Sequence, residues 1–166
     1  VTQAIDAVSN KKCDILMSYL NFSQSTYYQI GRKLKKQGIL NCRNVCKGGG
    51  TKSPCAVAVD LLKQMKKIFI GHFSTYQEPQ ELPNYTGIRT NAEFASFQES
   101  TTQLQLIDLS VLSKTELMAF FINIYNVIVM HGYVYSGHPS CRLDWRYFSA
   151  LAGYDIGGLL YTLDKI

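Results

Sequence analysis

The run from Leu117 to Met130 is apolar at 12 of its 14 positions, broken only by Asn123 and Asn126. A helix that apolar on nearly every side cannot sit on a surface, so it predicts the central, buried element of the fold. Ser113-Lys114-Thr115-Glu116 marks where it starts: the serine hydroxyl can accept from the Glu116 N–H while the glutamate reaches back to the serine N–H. The helix is expected over 114–132, with Gly132 as its stop. Fourteen residues fall short of the ~20 that cross a bilayer, which favours a core helix over a membrane span.

Other elements arrange themselves around this helix. Ser53 and Pro54 supply an N-cap and a first-turn proline for a helix with the stripe Val57, Leu61, Met65 and Ile68, ending at Gly71. Asn91 caps a helix with Phe94, Phe97 and Leu104 facing inward, and Leu143 to Leu151 forms another. Tyr154 to Tyr161 reads as a β-hairpin, because Gly157 and Gly158 supply the positive φ angles of a two-residue turn. Thr162 then caps a helix starting at Leu163. The expected class is mostly α with a small β component (α+β). Val1 at the start and a helix cut in its first turn at the end predict a truncated domain.

Charge divides the chain. Residues 1–53 carry nine Lys or Arg against two Asp, a net +7, and the remainder is −2. The expected organisation is a small basic helical module at 1–46, a Gly-rich linker at 47–53, and a second domain over 54–166. In the module, Lys12–Leu20 and Ser25–Gln37 read as amphipathic helices, the second presenting Tyr27, Ile30 and Leu34 before a Gly38 cap, with Ile39 and Leu40 starting a strand.

Five cysteines, odd in number and irregularly spaced, predict reduced thiols in a cytoplasmic protein, and no secretory leader is present. Cys42, Cys46 and Cys55 would need His72 to complete a zinc site and lack a second ligand pair, so neither metal nor cofactor is expected. For chemistry the candidates are Asn123, Asn126, His131 and Cys141. The two amides lie one turn apart and either tie a backbone segment to the helix or line a polar pocket. His131 serves as a helix-end cation or an acid-base group, and Cys141 beside Arg142 as a thiol nucleophile or an ordinary loop cysteine. Arg32, Lys33, Lys35 and Lys36 form a candidate phosphate-binding cluster or a solvated helix end. Tyr27 and Tyr28 have the spacing of core residues and not of a base-stacking platform, which argues against nucleic acid and leaves protein partners or an anionic membrane surface.

Leu117-Met118-Ala119-Phe120-Phe121-Ile122-Asn123-Ile124-Tyr125-Asn126-Val127-Ile128-Val129-Met130-His131 resembles the A-F-W-I-N-L-Y-N-A-L-V-x-H signature of the domain of unknown function 547 family. The likeness continues through Asp108-Leu109 upstream and through Tyr154-x-Ile156-Gly157-Gly158 with Tyr161-Thr162-Leu163-Asp164-x-Ile166, covering 54–166 as the N-terminal half of such a domain. Phe121 stands where that family usually has tryptophan, and its H-F-A-L-N-C segment, with its cysteine, would lie beyond Ile166. Ile30 to Leu40 resembles the G-x-x-L-x-x-x-G-I tail of DEP domains, winged-helix modules that recruit membranes and partners. The resemblance carries no established activity. It implies a non-catalytic interaction or regulatory module, with a thiol-dependent hydrolase or disulfide oxidoreductase as the alternative. Tyr154, Gly157 and Gly158 have structural roles in either case.

Overall fold

A computed structural model describes residues 39–41, 52–73 and 83–166. The helical readings of 12–20 and 25–37, the cluster Arg32, Lys33, Lys35 and Lys36, and the linker glycines lie outside the described residues.

The first long helix, α1 (Pro54–Ile70), begins as its sequence dictates: the Ser53 hydroxyl accepts from the Ala56 N–H and proline occupies the first turn. Its stripe of Val57, Leu61, Met65 and Ile68 is buried against the long helix α4 (Lys114–Ser136). Between them come α2 (Tyr85–Thr90) and α3 (Ala92–Thr101), capped by Asn84 and Asn91. Two 3₁₀ turns, Thr102–Leu106 and Leu109–Val111, lead to α4. Phe94 and Phe97 are buried from α3, whereas Leu104 is buried from the 3₁₀ turn that follows it. After α4 come α5 (Arg142–Leu151) and an antiparallel hairpin, β1 (Gly153–Ile156) and β2 (Leu159–Thr162), pairing Gly153 with Thr162 and Ile156 with Leu159. The mostly helical fold with a small antiparallel sheet is therefore as the sequence predicts.

Both halves of the Ser113–Glu116 capping box form. The helix they open runs four residues past the expected stop at Gly132, because Gly132 is a contact and not an end. A Cβ there would lie 2.6 Å from Phe148 Cε2, so the glycine lets α5 pack directly on α4. The helix ends instead at Gly137, with φ 78°. At 23 residues it is long and apolar enough, by length and composition alone, to cross a membrane. In this fold its Phe120, Ile124, Val127, Ile128 and Val134 are instead packed into the protein core.

The hairpin turn has φ 59° at Gly157 and 81° at Gly158, the doubly positive pair that suits glycine. Gly157 also donates its N–H to Leu104 O at 3.0 Å, and a Cβ there would meet Ile107 O at 2.6 Å. The first of the two 3₁₀ turns is thus pressed against the hairpin tip. Past β2, the expected helix at Leu163 is a single turn in which the Lys165 and Ile166 N–H groups bond Thr162 O.

Ile39 and Leu40 form a turn and not the expected strand, and it docks on the free edge of β1. Leu40 donates to Gly153 O at 3.1 Å and is buried in the same core as Tyr154. Asn41 then acts as a substitute strand: its Oδ1 accepts from the Asp155 N–H at 2.8 Å, and its Nδ2 donates to Asp155 O at 2.8 Å and Thr101 O at 3.3 Å. Gln105 Nε2 donates to Asn41 O at 2.8 Å. The clamp joins residues 114 apart in sequence. Replacing Asn41 with leucine keeps volume but leaves these backbone groups unpaired, and should cost about 1–3 kcal/mol in urea unfolding. An unchanged midpoint would contradict the clamp.

Candidate functional site

The sequence candidates are not gathered into one site. His131 is 0% exposed, five residues inside α4, so a role as the helix-end cation does not arise. Its imidazole lies among the rings of Phe94, Phe97, Tyr135 and Tyr154, with centroids 5.2 to 5.8 Å away. Nδ1 shares a hydrogen bond of 2.8 Å with the Tyr154 hydroxyl, and Gln98 Nε2 donates to the neighbouring Tyr135 hydroxyl. This is a polar pair sealed in an aromatic box, and it ties β1 to α4.

An asparagine pair tying a backbone segment such as the hairpin to the helix would have both amides buried. Asn126 is exposed, and its Nδ2 donates to Ile122 O at 2.8 Å within its own helix. Asn123 is half-buried. The reason is rotational: at ~100° per residue, Asn126 lies roughly 130° from the centre of the buried face, on the side where α4 has no neighbour among the described residues. The hairpin is held by the Asn41 clamp, Gly157 and the His131–Tyr154 bond instead. Cys141 is half-buried and caps α5, its Sγ accepting from the Asp144 N–H at 3.5 Å. Cys55 donates its thiol to Glu116 O at 3.5 Å, and His72 Nδ1 bonds Ile68 O at 2.8 Å. Cys42 and Cys46 lie outside the described residues, and no group of three metal-ligating side chains occurs among those described.

What the structure does show, and the periodicity could not, is an open cleft of about 520 Å³ along the side of α4 that the described residues leave uncovered. Leu117, Met118, Phe121, Ile122 and Tyr125 make its floor, Lys114 and Asn126 stand at its ends, and Ile166 closes it from the C-terminal turn. Met118 is 59% and Ile122 56% exposed. The floor residues recur at three- and four-residue spacing, so they form one stripe about 12 Å long. Tyr161 extends it from β2 by packing its ring against Phe121, centroids 5.1 Å apart and planes tilted by 46°. Among the described residues nothing covers these apolar side chains, and polar ones rim them. A sequence signal existed: more apolar positions on α4 than a single buried face needs.

The architecture is that of an α+β unit built on one long apolar helix, with a C-terminal hairpin sealed to it. Residues 109–166, which contain that helix and hairpin, match the family model described as "Protein of unknown function, DUF547". The match takes in the signature helix and the hairpin, while the resemblance upstream, over 54–108, lies outside it. No curated protein and no solved structure matches the chain.

Burial raises the Tyr154 phenol well above its ordinary value of 10.0, with the nearby Tyr135 adding to the shift. Tyr85 and Tyr133 are raised as well, chiefly by burial. A raised phenol keeps its proton in the folded state after the unfolded chain has lost it, so its stabilising contribution is complete below pH 10 and is lost as pH climbs above it. Unfolding followed against pH should show stability falling above about pH 10. Tyr154→Phe should flatten that fall and, by removing the partner of His131, lower stability at pH 7 by about 1–3 kcal/mol. An alkaline slope identical in both proteins would remove Tyr154 from this role.

Proposed function

We propose that this protein is a non-catalytic interaction module, and that the cleft on α4 receives an amphipathic helix. The observation that carries the reading is the stripe of Met118, Phe121, Ile122 and Tyr125, left uncovered by the described residues on the most apolar of the described helices. Its spacing fits the apolar face of a second helix laid alongside, the helix-in-groove mode of recognition. The near-absence of charge on the floor favours an apolar ligand face, with Lys114 left to orient a polar end. The basic cluster Arg32, Lys33, Lys35 and Lys36 adds a recruiting function toward protein partners or an anionic surface, consistent with the DEP-like tail at Ile30 to Leu40.

The test is titration calorimetry with a designed amphipathic peptide of about 14 residues carrying leucine at helical spacing. Saturable binding to the wild-type chain is expected, with at least a roughly tenfold loss in Ile122→Asp, a change of about 1.4 kcal/mol. A scrambled peptide of the same composition should not bind. Equal binding of the scrambled peptide, or full affinity in Ile122→Asp with its helical circular dichroism intact, would overturn the reading.

A further inference from the structure

The buried residues of α1, from Val57 to Phe69, lie on the side that packs against α4. At ~100° per residue, Lys63, Lys66, Lys67 and Ile70 all lie at least roughly 120° from the centre of that side, and all four are exposed. Lysines turned to water are what a surface helix ordinarily presents, and by themselves they point to no ligand. Ile70 breaks that pattern. It stands 73% exposed at the end of the same ridge, and Phe73, three residues on, is 47% exposed.

We propose that the C-terminal end of α1 docks on an anionic phospholipid surface, with Ile70 and Phe73 entering the headgroup boundary and Lys63 and Lys66 pairing with the lipid phosphates. This ridge faces away from α4, so it is separate from the cleft and does not rest on the helix-in-groove reading.

Charge selects the partner. Residues 54–73 carry Lys63, Lys66 and Lys67 against Asp60 alone. Lys67 is committed to Glu93 at 2.7 Å and Asp60 to Lys52 at 2.6 Å, which leaves Lys63 and Lys66 without an ion pair among the described residues. These two cations precede Ile70 by one and two turns, roughly 6 and 10 Å along the helix axis. A lysine stem is long enough to hold its ammonium at headgroup level while the apolar residues beyond it sit deeper. Attraction to anionic headgroups and burial of apolar area then add, as they do at a membrane interface. Nucleic acid would engage the same cations, but Ile70 has no π-face on which a base can stack, so the apolar part of the ridge favours lipid.

The test uses the full chain with Arg32, Lys33, Lys35 and Lys36 replaced by glutamine, so that the basic cluster supplies none of the attraction. Flotation with phosphatidylcholine vesicles containing ~30% phosphatidylserine is compared with flotation on pure phosphatidylcholine. Binding to the anionic vesicles alone is expected, weakening as salt rises. Lys63→Gln/Lys66→Gln and Ile70→Asn/Phe73→Ser should each lower the partition coefficient at least about tenfold, with helical circular dichroism intact because all four side chains are exposed. No binding to anionic vesicles, equal binding to both kinds, or undiminished binding in either double variant overturns the proposal. If the Ile70→Asn/Phe73→Ser protein keeps its affinity for the vesicles and also binds a short DNA duplex, the ridge is a polyanion site and not a membrane one.

Discussion

Everything in this fold depends on the burial of one side of α4. Phe120, Ile124, Val127, Ile128 and Val134 are buried together and collect α1, α2 and α5 around them. Burying each such side chain is worth about 1.5–3 kcal/mol, so this face outweighs the exposed ion pairs, Lys52–Asp60 and Lys67–Glu93, whose contribution is about 0–1 kcal/mol each. The same helix carries a second apolar stripe that the described elements do not cover. One helix thus has two unlike apolar sides: one consumed by the core, the other left open by the described elements.

The hairpin shows how few polar groups are needed once that core exists. Among the described residues it packs against no second sheet, and a two-stranded ribbon is marginal by itself. It is held at three points: the Asn41 side chain on Asp155, the Gly157 N–H on Leu104, and the Tyr154 hydroxyl on His131. Each connects the hairpin to a different part of the chain, which is why the 3₁₀ turn, α4 and residues 39–41 behave as one unit with it.

Much of this was legible in the sequence because it is local. The Ser53 and Asn91 caps, the Ser113–Glu116 box and the Gly157–Gly158 turn each involve residues within four positions of one another, and all formed as expected. What was not legible is non-local. Gly132 looked like a stop because only the arrival of Phe148 explains it, and Asn41 carried no signal because its partner is 114 residues away. The asparagine pair was misplaced for a related reason. On a helix apolar all round, periodicity does not say which side has neighbours, so Asn126 could be assigned to the core when it stands at the mouth of the cleft. The uncertainty that hid the cleft is the property that makes it: apolar residues in excess of what the core consumes.

The separation of the two sides of α4 is the central claim, and paired substitutions two residues apart measure it directly. Ile124 is 0% exposed and Ile122 56% exposed on the same turn of the same helix. In equilibrium urea unfolding, Ile124→Asp should cost well over ~3 kcal/mol or prevent folding, because it buries a charge without a partner. Ile122→Asp should cost no more than about 1 kcal/mol, most of it helix propensity. Comparable losses from the two substitutions would show that both sides belong to the folding core, and would contradict the account.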